Sequence, residues 1–357
     1  MDAAVSRFSW NGGFCDTAKK EYTANAVVTC MTTKEKVLAA LEAQRGSFLS
    51  GEALSAELTV SRAAVWKAIK SLQQAGVPIR AVSNRGYCLD ADADTLSVAG
   101  VADALPAGLP YQIQTEVSVS STNLSVRALA EAGSPEGTVL LAERQTAGRG
   151  RLGRQFHSPD GGLYCSILLR PPFPATESLF ITTAAAVAVA EAVEALAGES
   201  VQIKWVNDLF LHGKKICGIL TEASLDIESG RLAYAVLGIG INLKQPTGGF
   251  SPELRDIAGA VFPADARQPA LRCRMAAEVL TRFWRYYQEI GSRSFLEGYR
   301  SRSLLTEQPI LVLRGNTTRP AIARSITEDC RLLVTYEDGT EEALSSGEVQ
   351  IRRQTNA

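Results

Sequence analysis

The chain has 357 residues, and at about 150 residues per domain that length suggests two or three domains. Hydrophobic residues make up 46% and charged residues 21%, which excludes a disordered chain, a collagen-like one and a small disulfide scaffold. Lys and Arg number 37 against 38 Asp and Glu, for a net charge of −1, so any pull on nucleic acid or an anionic membrane must come from a local patch. Seven cysteines stand at 15, 30, 88, 165, 217, 273 and 330 with no C-x-x-C. With no apolar leader core near Met1, they read as reduced thiols of a cytosolic protein. Two histidines, His157 and His212, lack partners at metal-ligand spacing, which argues against a zinc site. The absence of G-x-S-x-G argues against a Ser-His-Asp hydrolase.

In chain order, residues 1–31 carry no sustained period, contain Gly12-Gly13 and read as a disordered arm, with Met31 an alternative start. From Met31 to about residue 95, an amphipathic helix over 33–45 presents Val37, Leu38 and Leu41 on one face. Ser50 to Leu58 is a short helix, Thr59-Val60 a turn, and Ser61 caps a helix running to Leu72. Two short helices around a tight turn suit a helix-turn-helix. Residues 77–82, a turn at 83–86 and 87–89 then read as a hairpin wing. Between Leu58 and Leu89 there are five basic residues (Arg62, Lys67, Lys70, Arg80 and Arg85) and no acidic one. In a near-neutral chain that is a local positive stripe of the kind phosphate contacts require. A winged helix kept only for packing or protein contacts is the alternative.

Residues 96–303 alternate strand and helix patterns, as a mixed α+β sheet domain does. The strands are expected at 111–117, 138–143, 162–169, 201–205, 216–223 and 233–243, and the helices at 123–132, 177–197, 270–288 and 292–302. Gly230-Arg231 fit a hairpin between the last two strands. The longest apolar stretch, 178–190, is interrupted by Thr182 and Thr183 and followed by Glu191 and Glu194. It falls short of the ~20 residues of a membrane span and reads as a buried core helix. Residues 304–353 carry five short strands, at 310–313, 318–326, 332–336 and 341–343 and one ending at Ile351, which suggests a small barrel.

Chemistry concentrates in four places. Gln145-Thr146-Ala147-Gly148-Arg149-Gly150-Arg151-Leu152-Gly153-Arg154 contains G-x-G-x-x-G, but Pro159, Gly161-Gly162 and a strand follow where a dinucleotide fold needs a helix. Three arginines among glycines make a cationic loop whose forks suit phosphate and carboxylate oxygens. Lys204-Trp205-Val206-Asn207-Asp208, then Lys215 opening an apolar strand, gathers cations, an amide and a carboxylate able to hold phosphates and Mg²⁺. Gly238-Ile239-Gly240-Ile241-Asn242 permits close backbone approach. Ser120-Ser121-Thr122-Asn123 reads as a helix cap.

These elements, in this order behind a winged helix, closely resemble the bifunctional biotin protein ligases, biotin–[acetyl-CoA-carboxylase] ligases that also act as biotin-operon repressors. The resemblance covers about residues 32–353 and rests chiefly on the Arg-Gly loop and on Lys204-Trp205-x-Asn207-Asp208. Two positions depart from it: the family has proline where this chain has Val206, and tryptophan where it has Phe156. Both stay apolar, so altered packing rather than lost activity is expected.

The resemblance implies a winged helix-turn-helix DNA-binding domain at 32–95, a ligase-like catalytic domain at 96–303 and an SH3-like domain at 304–353. It implies biotin contacts from Ser121, Thr122, Asn123, Gln145, Arg149, Gly150, Arg151 and Lys215. It places ATP and adenylate against Arg149, Arg151, Lys204, Asn207, Asp208 and Asn242, with Mg²⁺ at Asp208. Lys215, Arg149 and Arg151 would act in catalysis, and Ser61, Arg62, Trp66, Lys67, Lys70 and Arg85 would meet operator DNA. Biotin carboxyl carrier protein, the acetyl-CoA carboxylase subunit, is the implied acceptor and a ligand-promoted homodimer the implied assembly, with no membrane involved. The alternatives are a lipoate–protein ligase and a metabolite-sensing regulator without ligase activity.

Overall fold

The computed structural model describes residues 31–226, 232–314, 317–345 and 348–351. The amino-terminal arm and the Gly230-Arg231 hairpin lie outside them. Helices α1 (Thr33–Ala43), α2 (Gly51–Leu58) and α3 (Arg62–Gln74) are followed by a hairpin of β1 (Ile79–Val82) and β2 (Gly86–Leu89). All three helices start as the residues dictate: Thr32 forms a capping box with Glu35, Ser50 accepts from the Ala53 N–H, and Ser61 from that of Ala64. Thr59 takes a left-handed conformation and turns the chain between α2 and α3. At the wing, Gly86 has φ +99°, and a Cβ there would sit 2.0 Å from the Leu49 carbonyl oxygen, so only glycine fits. Val37, Leu41, Leu54, Val65, Ile69, Leu72 and Leu89 close a core separate from the rest of the molecule.

A linker bolts this unit down. Glu42 accepts hydrogen bonds from Thr95 and Ser97, both at 2.6 Å, while Asp94 pairs with Arg272 at 3.0 Å and Lys244 at 3.1 Å. Just beyond lies α4 (Val98–Ala104), packed on a later helix. The sequence reading missed α4 because its seven residues, VAGVADA, include a glycine and make barely two turns.

The central sheet has seven strands: β3 (Gln112–Val119), β4 (Thr138–Gln145), β5 (Leu163–Leu169), β6 (Gln202–Lys204), β7 (Asp208–Leu211), β8 (Lys214–Leu225) and β9 (Leu232–Ile241). Their spatial order is β3-β4-β5-β9-β8-β7-β6. Only β3 and β4 run parallel, across α5 (Thr122–Glu131). β7 lies between the strands expected at 201–205 and 216–223 and pairs with both β6 and β8. On one face pack α6 (Ser178–Ala197) and α7 (Leu271–Gln288). Every residue of α6 from Phe180 to Ala190 is buried, which makes it the core helix its interrupted apolar run predicts. The other face carries α5 through Val126 and Ala130 against Leu140, Leu168 and Val236. The helix expected over 292–302 is shorter, α8 (Leu296–Ser301), after a single 3₁₀ turn.

The last five strands, β10 (Pro309–Arg314), β11 (Thr317–Ile326), β12 (Leu332–Tyr336), β13 (Glu341–Leu344) and β14 (Glu348–Ile351), form one antiparallel sheet ordered β13-β12-β11-β10-β14. Its apolar face, with Ile310, Val312, Ala323 and Val334, is continuous with the core under the central sheet. The fold is therefore α+β, with a winged helix, a mixed sheet and a small antiparallel sheet.

Candidate active site

A cleft of about 180 Å³ opens on the α5 face of the central sheet. Its floor is β8 and β9, where Gly218, Gly238 and Gly240 leave room for what lies above. A Cβ at Gly238 would stand 2.0 Å from Asn123 Oδ1, and Cβ atoms at Gly218 and Gly240 would meet the Phe156 ring at 2.8 and 2.6 Å. Phe156 therefore lies over a glycine floor inside the cleft, edge-on to Tyr164.

One wall follows β6. Lys204 ends that strand, and Trp205 and Val206 turn inward to be 4% exposed each. The Trp205 indole donates to the Cys330 carbonyl at 3.0 Å, and the Tyr299 hydroxyl to that of Val206 at 3.0 Å. Asn207 is locked by two bonds of 2.9 Å: its amide donates to the Ile219 carbonyl, and its own carbonyl accepts the Ile219 N–H. Asp208 opens β7 and lies 2.6 Å from Lys215 Nζ, which also sits 5.8 Å above the Phe156 ring. The cation that sequence reasoning left for a ligand thus has an anion within the protein. Even so, the shielded Oδ1 of Asp208 accepts no well-aligned hydrogen bond.

The opposite wall is the Arg-Gly loop. Gly150 N–H donates to the Arg154 carbonyl and Phe156 N–H to that of Gly148, so the loop folds back on itself. A 3₁₀ turn at its tip leaves Leu152 75% exposed. Arg149 pairs with Glu222 at 3.2 Å, and Arg151 Nη1 donates to Asn207 Oδ1 at 3.3 Å. Arg151 thereby spans the two walls.

The third wall is the start of α5. Ser121 occupies the N-cap position but makes no capping bond, a correction to the helix-cap reading. Thr122 and Asn123 are instead buried and turned to the sheet: Gln145 Oε1 accepts from the Thr122 N–H at 2.8 Å, and Ser166 donates to Asn123 Oδ1 at 2.6 Å.

Ser121, Thr122, Asn123, Gln145, Arg149, Gly150, Arg151, Lys204, Asn207, Asp208 and Lys215 all line this one cleft. Asn242 does not line it. It is buried behind Lys215, its amide donating to the Gly259 carbonyl at 2.9 Å and the Lys215 carbonyl at 3.4 Å. Ser166 and Glu222 were missed, since a serine inside an apolar strand and a glutamate at the polar end of another carry no local signal. Neither cysteine in the strands under the cleft offers a nucleophile: burial holds the Cys165 thiol up to about 12 and the Cys217 thiol higher still. Cations and amides converging on a glycine floor can bind anions and stabilise developing charge without a covalent intermediate.

On the winged helix, Trp66 is 53% exposed on α3, with Lys70 Nζ 5.9 Å from its ring. The basic stripe is partly paired from outside its window, Arg62 with Glu52 and Arg80 with Asp90, both at 2.8 Å. Arg85 stacks 4.2 Å over Phe48.

Comparison with known proteins places all three parts. The Biotin/lipoate A/B protein ligase family model matches residues 116–242, an HTH domain model 33–88 and the Biotin protein ligase C terminal domain model 307–352. The bifunctional ligase/repressor BirA of Bacillus subtilis is 38% identical over 268 residues, 74% of this chain and 81% of the relative. That of Escherichia coli is 28% identical over 312 residues, 86% of this chain and 94% of the relative. The biotin protein ligase from Aquifex aeolicus, in complex with biotin and ATP, superposes with a TM-score of 0.55 at 28% identity, over 68% of this chain and 99% of that one. The chain belongs to the biotin protein ligase family, in its three-part ligase/repressor form.

Proposed function

We propose that the protein is an ATP-dependent biotin–protein ligase that forms biotinyl-5′-AMP, transfers biotin to a lysine of a biotin carboxyl carrier protein, and represses transcription in response to biotin. The observation that carries the reading is the convergence of Arg149, Arg151, Lys204 and Lys215 on a single cleft. In the first step a biotin carboxylate oxygen attacks the α-phosphorus of ATP, and the bond to the bridging oxygen breaks to release pyrophosphate. In the second, the acceptor amine attacks the acyl carbon, the C–O bond to AMP breaks, and the amine loses its proton.

Both steps move negative charge, so fixed cations lower the barrier by positioning and by electrostatic stabilisation. Lys215, 32% exposed beside Asp208, brings together a carboxylate and a phosphate that otherwise repel. Lys204 and Arg151 hold phosphate oxygens, and Asn207 aims Arg151. Ser121, Thr122, Asn123, Gln145, Arg149 and Gly150 form the biotin side. Asn242 acts one step removed, by tying the Gly259 carbonyl to the Lys215 strand.

Among the described residues no three His, Cys, Asp or Glu side chains gather as a metal cage. Asp208 lines the cleft but its Oδ1 already meets Lys215 Nζ at 2.6 Å, so a Mg²⁺ there would arrive with the triphosphate and share the carboxylate with Lys215. Such an ion would offset triphosphate charge. We place the domains at 32–95, 96–303 and 304–353, and the protein in the cytoplasm, where its buried free thiols at Cys88, Cys165, Cys217, Cys273 and Cys330 stay reduced. Operator binding as a ligand-promoted dimer belongs to the same proposal.

The test is ATP–pyrophosphate exchange with biotin and, separately, with lipoate. Biotin-dependent exchange is the expected result. Exchange driven by lipoate instead makes the protein a lipoate ligase, and none with folded protein makes it a sensor without ligase activity.

A further inference from the structure

Glu222 stands on β8 outside the cleft lining, yet its two carboxylate oxygens reach two of the cleft's walls. Oε1 meets Arg149 at 3.2 Å, and Oε2 accepts from Asn123 Nδ2 at 2.8 Å. Asn123 has no freedom to turn. Its Oδ1 accepts from Ser166 at 2.6 Å, it lies where a Gly238 Cβ would be, and a flipped amide would set carbonyl oxygen against carboxylate.

From Ser166 the network runs on. The Thr122 hydroxyl, with one proton to give, lies 2.8 Å from the Ser166 hydroxyl and 3.1 Å from Gln145 Oε1, and Gln145 Oε1 accepts the Thr122 N–H at 2.8 Å. Gln145 Nε2 donates to Ser158 at 2.9 Å, and Ser158 to the Phe156 carbonyl at 2.9 Å. One continuous chain of polar contacts thus ties Arg149, near the start of the Arg-Gly loop, to Phe156 just after its end. Glu222 is the only group in it that carries a negative charge. Buried networks of this kind set geometry when every member is satisfied.

We propose that Glu222 is the positioning residue of the cleft, holding Asn123 and Arg149 in register so that both meet the biotin side of the site from fixed positions. This rests on the reading of the cleft as a biotin and adenylate site. Lys215 and Asp208 pair with each other rather than with this network, so the effect falls on ground-state binding of one substrate and not on the chemical step.

The decisive variant is E222Q, which keeps an acceptor for Asn123 and removes the charge facing Arg149. In biotin-dependent ATP–pyrophosphate exchange, the KM for biotin rises about tenfold, while kcat and the KM for ATP stay within about twofold. In an R149A background the same change raises the biotin KM less than about threefold, because the partner it acts through is gone. Without any ligand, E222Q speeds tryptic cleavage after Arg149 at an unchanged melting temperature, a readout that holds whether or not the cleft takes biotin. If E222Q does not fold, E222D, which keeps the charge but withdraws it by one carbon–carbon bond, is read the same way.

An unchanged biotin KM with unchanged cleavage overturns the proposal. So does an effect carried in full on the R149A background, or one falling on kcat alone. Wild-type protein that shows no biotin-dependent exchange, while E222Q still loosens the loop, overturns the biotin reading and leaves Glu222's role standing.

Discussion

Two walls of the same cleft are built in opposite ways. The segment from Lys204 to Asp208 is an extension of the core: Trp205 and Val206 are buried, and Asn207 is locked to β8 by main-chain and side-chain bonds. The Arg-Gly loop touches the core hardly at all, with Leu152 exposed at its tip and Arg149 42% exposed. Cations on the first wall are positioned before any ligand arrives, at no cost in ordering when it does. Those on the second are tied through a polar network, which lets the loop order over a reactive adenylate. The difference teaches that preorganised charge and a loop free to close need different supports, and on the proposed reading the first wall supplies the charge and the second would close.

The sharpest way to break the comparison is by stability. Trp205→Ala removes a core aromatic and the donor to the Cys330 carbonyl, and should cost about 3–5 kcal/mol in urea unfolding. Arg149→Ala should stay within roughly 0.5 kcal/mol of wild type. Similar losses from both would show that the two walls are built alike.

By activity the largest effect belongs to Lys215. Lys215→Met keeps the stem over Phe156 and removes the charge, so adenylate formation in a single turnover should slow roughly a hundredfold, about 3 kcal/mol. Stability should fall by only about 1–3 kcal/mol, the cost of leaving the shielded Asp208 Oδ1 without its cation. Near-native adenylation would reassign Lys215 to holding Asp208 alone.

A smaller effect separates the walls by mobility. Trypsin should cut after Arg149, Arg151 or Arg154 in free protein, and about tenfold more slowly once biotin and ATP have formed the adenylate. Lys204 should resist under both conditions. Equal cleavage with and without ligand would remove the lid from the comparison.

What could be read in the sequence follows the same divide. The Lys-Trp-x-Asn-Asp and Arg-Gly segments each concentrate cations and amides within a few residues, so each was legible by itself as a candidate binding element; that the two share one cleft was implied by the family resemblance and not by spacing. The small carboxy-terminal strands were legible too, because each apolar run is short and bounded by turn residues. Ser166 and Glu222 were not, since Ser166 is a lone polar residue in an apolar strand and Glu222 reads as part of the polar Thr221–Ser224 end of its strand, while the partners of Glu222, Asn123 and Arg149, are 99 and 73 positions away in the chain. Asn242 was overread: adjacency to a glycine-rich strand says nothing about which side of Lys215 its amide lies on. The cap reading of Ser121 failed because Thr122 and Asn123, one and two residues into the helix, are pulled down by Gln145 and Ser166 instead.

The winged helix extends the comparison to cations on a rigid helix with no buried counterpart. Arg62, Lys67 and Lys70 stand on α3, and α3 is fixed by its own core, so contacts with DNA phosphates need no closure. Each of Arg62→Ala, Lys67→Ala and Lys70→Ala should reduce the salt dependence of DNA binding by about one phosphate equivalent, roughly 0.9 in the log–log slope. Biotin transfer should be untouched, since the cleft lies on the central sheet. Arg62 carries an added consequence, because Glu52 competes for it at 2.8 Å on the protein's own surface. Glu52→Gln should free that guanidinium and strengthen binding to DNA from the region upstream of the gene, about two- to threefold at low salt, the gain fading as salt screens the contact. Slopes that ignore all four substitutions would take α3 off the phosphates and leave the winged helix a packing unit.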